Sequence, residues 1–348
     1  RMAITRCSSL SWRLNGSSPR TFPPGATKAN SRASFPLRLL SRGDCPILRP
    51  MVRLRHGKTP DLISAVFLLG LIFMALAYRE RLTDWRWLLA RYVGLLVLQV
   101  VVVTARGGRL PAFLSAFFPV VPVVGIYDSL HFIPELNPAD RDGVLIRIDG
   151  ALLGGDPSLW LERLSTPWLT EVLQLAYLVY YVLPLLLLGI LHRPRPRSAS
   201  NLRRTGSQEQ AFDLCMVALL LSHYLAFIGY MAVPALGPRF ALASLYRTEL
   251  TGLLVAEPIR DLLNALEGIK RDAFPSGHTS AALISLHYAF RFTPRLARYA
   301  LPAVALMVLS TLYLRYHYAV DILAGAILAA FCVFLAPRLL RHERLKGE

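Results

Sequence analysis

Residues 168–191 read WLTEVLQLAYLVYYVLPLLLLGIL, a run with a single charge, Glu171. An apolar segment of this length meets the ~20 residues an α-helix needs to cross a bilayer. Similar runs lie at Leu62–Tyr78, Trp87–Thr104, Ala211–Val233, Tyr299–Leu314 and Tyr318–Ala336, with a shorter one at Thr279–Phe290. A further run, Leu110–Tyr127, carries Pro111, Pro119 and Pro122, which do not fit one straight helix, so a broken or re-entrant span is expected there. The chain therefore reads as all-α, a polytopic transmembrane helical bundle with seven or eight membrane segments.

Composition agrees: of 348 residues 54% are hydrophobic, and the mean hydropathy is +0.43, well above that of a soluble domain. The net charge of +17 does not point to nucleic acid, because 12 of the 39 basic residues fall in residues 1–58 against one acid, Asp44. That Arg-, Ser- and Pro-rich stretch reads as a disordered basic leader, a transit-like segment or an over-extended start before Met51. Elsewhere the basic residues gather in short loops: His192–Arg197 with Arg203 and Arg204, then Arg291, Arg295 and Arg298, then Arg338, Arg341 and Arg344. The positive-inside rule puts these loops in the cytoplasm. Cys7, Cys45, Cys215 and Cys332 form no CxxC pair and have no His at metal spacing, so neither a disulfide framework nor a metal site is implied.

The expected organisation is a leader (1–58), amino-terminal membrane segments (59–127), a non-cytoplasmic polar segment (128–167), a transmembrane core (168–337) and a basic cytoplasmic tail (338–348). Loop charge alone then puts 234–278 on the non-cytoplasmic side, together with the end of the span that delivers His317. The polar segment falls on the same side. Its Asp140, Asp142, Asp149 and Asp156 and its glycines are taken as turn formers, in preference to a lid or a lipid-headgroup contact.

Two strings meet at that side. In Phe274-Pro275-Ser276-Gly277-His278, Ser276 is placed to cap a helix and Gly277 to let a ligand approach the backbone. The helix amino terminus favours a phosphate, and His278 is within reach to act as a general acid. In Tyr316-His317-Tyr318-Ala319-Val320-Asp321, His317 and Asp321 are four apart and share one face of a helix. An aspartate against one imidazole nitrogen makes the other a better nucleophile, and an aspartate in an apolar run calls for such a partner. Ser310 joins the same stripe if the helix is continuous. Candidate cations for phosphate are Arg239, Lys270 and Arg271. Arg315 qualifies only if the chain bends there, since two residues from His317 it otherwise faces away or snorkels. His223 and His287 lie in spans without partners at helical spacing and are set aside.

These residues resemble the phosphatidic acid phosphatase type 2 superfamily, over roughly Asp140–Ala336, and within it the inositol phosphorylceramide synthase (aureobasidin-resistance) branch. The resemblance implies a metal-independent helical bundle without cofactor, in which His278 is the acid, His317 attacks phosphorus and Asp321 supports it. Tyr313–Asp321 (YLRYHYAVD) and the Gly229–Arg239 segment look like the synthase branch, whereas Gly277 is phosphatase-like. Where the phosphatase branch has Ser-Arg before the second histidine, this chain has Ser310-Thr311. What is expected is an integral membrane lipid phosphotransferase, with lipid substrates, a phosphate cradle from Arg239, Lys270, Arg271, Ser276, Gly277 and Ser310, and a site on the non-cytoplasmic face of a bacterial inner membrane or of a Golgi or endoplasmic reticulum membrane. The alternatives are a lipid phosphate phosphatase and a non-catalytic lipid-binding or transport protein.

Overall fold

The computed structural model describes residues 58–106, 110–193, 202–266 and 269–347. The expected leader, apart from Lys58, and the basic stretch 194–201 lie outside them, as do the side chains of Arg203, Arg204 and Arg344. Among the described residues all regular structure is helical. The longer helices are α1 (Thr59–Ala77), α2 (Trp85–Ala105), α3 (Ala112–Phe117), α4 (Val120–Tyr127), α5 (Asp142–Leu153), α6 (Pro167–Tyr177), α7 (Val179–His192), α8 (Leu202–Ala232), α9 (Ala256–Leu266), α10 (Gly277–Phe292), α11 (Pro294–Tyr313) and α12 (Ala319–Gly347).

Among the described residues six stretches are long and apolar enough to cross a membrane: α1, α2, α6 with α7, α8, α11 and α12. Two expected runs fall short of that length. The proline-rich one is broken, as its prolines require: Pro111 and Pro119 each stand just before a short helix, α3 and α4. The other is α10, which at 16 residues rises only about 24 Å.

α10 is nonetheless the centre of the bundle, packed on α7, α8, α11 and α12. Its buried Ala281, Ala282, Ser285 and Ala289 present little bulk, which lets four helices approach it. Gly325 of α12 allows a close approach to the start of α10, because a Cβ there would lie 2.4 Å from the Ser276 carbonyl oxygen. The outside is apolar, with Leu62, Val66 and Phe73 of α1 and Val97 and Val101 of α2 largely exposed. That inversion of the soluble pattern fits a lipid surround.

The polar segment 128–167 divides in its behaviour. Gly154 (φ 81°) ends α5 in the left-handed conformation, and Asp156 caps the short helix Pro157–Leu161, so the turn-former reading holds for these two. Asp142 and Asp149 do something else. Asp142 accepts from the backbone N–H groups of Leu236 (2.9 Å) and Gly237 (2.8 Å) and from the Tyr318 hydroxyl (2.8 Å). Asp149 accepts from Ala319 N–H (2.7 Å) and Val320 N–H (2.9 Å), capping the start of α12. Burial holds the Asp149 carboxyl above the usual carboxylate range, against the pull of those two donors.

Candidate active site

The site lies where α10 starts and α11 ends. Ser276 caps α10 by accepting from Thr279 N–H (3.2 Å), a cap worth about 1 kcal/mol, and the Ser276 N–H donates to the Asp321 carbonyl (3.0 Å). This places His278 in the first turn of α10, facing the end of α11.

α11 ends at Tyr313 in a Schellman motif: Tyr316 N–H bonds to Thr311 O (2.9 Å) and Arg315 N–H to Leu312 O (3.1 Å). The left-handed position of that motif, where glycine is favoured, is held by Arg315 at φ 65°, at a cost of about 1 kcal/mol. The chain therefore reverses between Tyr313 and Ala319. Two expectations change as a result. Ser310 and His317 share no continuous helix, and the buried Ser310 hydroxyl bonds back to Met307 O (2.6 Å). Arg315, by contrast, lines the same cavity as His317.

His317 precedes α12 rather than standing within it, yet its Nδ1 is 3.5 Å from Asp321 Oδ2 and 2.8 Å from the Ala273 carbonyl oxygen. A carbonyl only accepts, so Nδ1 carries the proton and Nε2 of the neutral ring keeps its lone pair. That Nε2 is 3.1 Å from His278 Nδ1, which makes His278 Nδ1–H the donor of the pair. His278 Nε2 then accepts from the Tyr177 hydroxyl at 2.6 Å. One run of hydrogen bonds thus sets both tautomers, from Tyr177 through His278 and His317 to Ala273. Asp321 is fully buried, and its Oδ1 has no hydrogen-bond partner.

Both histidines line a cavity of about 250 Å³, together with Arg239, Lys270, Arg315 and Asp272. The two arginines are tied by backbone, Arg239 N–H to Arg315 O at 2.7 Å. Gly237 makes that approach possible: at φ 85°, a Cβ on it would lie 2.5 Å from the Tyr316 carbonyl oxygen. Arg239 Nη1 donates to Asn264 Oδ1 (2.8 Å). The Arg315 guanidinium lies 3.6 Å above the Tyr246 ring centre and reaches Glu162 (3.3 Å). Asp272 accepts from the Tyr127 hydroxyl (2.7 Å), and burial pushes its carboxyl above the ordinary range.

Of the residues expected from sequence, the structure brings His278, His317, Asp321, Arg239 and Lys270 together. Arg271 is instead paired with Asp140 (2.5 and 3.0 Å) and does not line the cavity. Ser276 and Gly277 lie behind His278 rather than on the cavity wall. The space beside Gly277 belongs to Tyr230, whose hydroxyl oxygen would be 2.6 Å from a Cβ there. Tyr177, Asp272 and Asn264 were not expected. Tyr177 did leave a signal, a hydroxyl in an apolar span that must find a partner.

Residues 169–344 match the PAP2 superfamily. A PA-phosphatase related-family protein of Dictyostelium discoideum is 27% identical over 245 residues, which is 65% of this chain and 43% of that protein. The chain thus spans less than half the length of this relative. No solved structure matches. Because the match takes in half the chain, including both histidines and the helices that carry them, the protein belongs to the PAP2 superfamily, an enzyme family of phosphatases and phosphotransferases.

Proposed function

We propose that the protein moves a phospho group off a membrane lipid through His317 and hands it to a lipid alcohol, the transfer carried out by synthases of the inositol phosphorylceramide type. One observation carries this reading: the 3.1 Å contact between His278 Nδ1 and His317 Nε2 on the wall of a cavity that also presents Arg239, Lys270 and Arg315. The His317 Nε2 lone pair attacks phosphorus, and the bond from phosphorus to the lipid oxygen breaks. That oxygen takes the proton from His278 Nδ1. In the second half, His278 takes a proton from the acceptor hydroxyl as its oxygen attacks the phosphohistidine, the bond from Nε2 to phosphorus breaks, and the site returns to its starting state.

The ring of His317 gains positive charge when phosphorylated, and the Asp321 carboxylate beside Nδ1 offsets it. The three cations hold the non-bridging oxygens, a role bidentate arginine suits. Arg315 stands in for the arginine that Thr311 does not supply. No step calls for a metal ion. The basic loops favour a site on the non-cytoplasmic face, where lipid headgroups are within reach.

A second reading, with water as acceptor, is favoured by the likeness to the PA-phosphatase related-family protein of Dictyostelium discoideum. Purified protein given lipid extract, with and without ceramide or diacylglycerol, separates the two when inorganic phosphate and new phospholipid are read together beside the His317→Ala variant. New phospholipid that needs both the acceptor and His317 is the expected result. Free phosphate without acceptor would make it a phosphatase. Neither product from folded protein would leave a lipid-binding or transport role.

A further inference from the structure

Residues 252–256, which lead into the first residue of α9, have an unusual hydrogen-bonding pattern. Five successive backbone N–H groups are satisfied by two carboxylates. Gly252 donates to Glu257 (2.8 Å), while Leu253 (2.8 Å), Leu254 (3.2 Å), Val255 (2.6 Å) and Ala256 (3.2 Å) all donate to Glu171. The side chains of the same stretch point outward: Leu253 is 57% exposed, Leu254 81% and Val255 38%. Three consecutive exposed apolar side chains are unfavourable in water. Amides that are already bonded within the protein cost little to move out of water into the boundary region of a leaflet.

Its position agrees. Glu171 lies in the first turns of α6, which opens the apolar stretch Pro167–His192. One residue inside that helix stands Trp168, 64% exposed, an aromatic where a membrane–water boundary favours one. From the tip, α9 leads back to the cavity. Ile259 and Leu263 pack with Leu173 and Tyr177, and Asn264 accepts from Arg239 on the cavity wall.

We propose that the Leu253–Val255 tip inserts into the lipid leaflet beside the cavity mouth, so that the cavity draws its substrate from the bilayer rather than from water. Insertion stands on the geometry of the tip alone; the delivery of substrate rests on the lipid phosphotransfer proposed above.

A nitroxide on Leu254→Cys tests insertion in full-length protein in phosphatidylcholine–phosphatidylglycerol nanodiscs, with Cys7 and Cys45 replaced. The other two cysteines, Cys215 and Cys332, are buried. Relaxation by oxygen should exceed relaxation by a water-soluble nickel chelate, and a label at the exposed Glu249→Cys should show the reverse. Nickel dominating at 254 overturns the proposal. So does spin–spin coupling between labels at 254, which would put a second copy of the chain there.

For delivery, with ceramide or diacylglycerol supplied as acceptor, Leu253→Ser with Leu254→Ser should lower kcat/KM on bilayer-embedded phosphatidate about tenfold and leave a short-chain, water-dispersed phosphatidate unaffected. Equal loss on both substrates overturns the delivery role. If the wild-type protein turns over neither substrate with ceramide or diacylglycerol supplied, the phosphotransfer reading fails and delivery with it, while insertion is still decided by the nitroxide.

Discussion

Among the described residues two buried ionic clusters differ in how completely their charged groups are met. Between α1, α2 and α3, Asp61 receives Arg106 on both carboxylate oxygens (Nη2 to Oδ1 2.8 Å, with Nη1 on Oδ2), and the Arg106 Nε donates to Ser115 Oγ at 2.9 Å. Gln99 Nε2 donates to the Asp61 carbonyl at 2.5 Å, and the Gln99 Oε1, a neutral acceptor, is the atom of this cluster left without a partner. At the other cluster Asp321 Oδ1 and Arg315 Nε have no partner, and His278, His317 and Arg315 open onto a cavity. A buried charge by itself marks both regions equally. Ionisable groups held short of full satisfaction beside a cavity mark only the second, since an unmet group costs stability unless a ligand meets it.

The largest effect that sharpens the contrast is His317→Ala, which should lower phosphotransfer about a thousandfold or more without shifting the melting temperature as a core deletion does. Next is Asp61→Ala, which strands Arg106. It should cost about 3 kcal/mol of stability, read as a lower thermal midpoint, with turnover per folded molecule unchanged. A fall in turnover there would break the comparison. Arg315→Gly should lower kcat/KM about tenfold, while the thermal midpoint holds because glycine relieves the left-handed strain. A fall matching that of Asp61→Ala would show Arg315 to be structural.

The smallest effect concerns Asp272. Burial raises its carboxyl in the folded protein, so its contribution to stability is present below the ordinary carboxylate range and lost as pH rises through the raised value. Asp272→Asn removes that loss. The variant should melt about 2 °C above the wild type near pH 7, with the gap closing as the pH falls to about 4. A gap that widens toward low pH would contradict the sign.

Much of this was legible in the sequence. The apolar runs mark the spans because a bilayer fixes their length, and loop charge alone brings His278 and His317 to one end of the bundle. Ser276 reads as a cap and is one. The end of α11 did not read, because Leu312–Tyr316 holds neither glycine nor proline, so nothing announces a left-handed turn with an arginine in glycine's place. Arg271 and Lys270 look alike in sequence, and only the fold shows that Asp140, 131 residues away, takes Arg271. Asp142 and Asp149 look like loop aspartates because their partners, the amides at 236–237 and 319–320, are remote in sequence. α10 reads from composition as a short apolar run, Thr279–Phe290, and at 16 residues it is shorter than the six stretches long and apolar enough to cross a membrane among the described residues.

The most direct test of the account is to find where phosphate rests on the enzyme during turnover, by alkaline quench and peptide mass spectrometry of protein supplied with a lipid phosphate. The account predicts phosphate on His317, and none on the His317→Ala protein. Phosphate on any other side chain, or steady turnover by the His317→Ala protein, would contradict it.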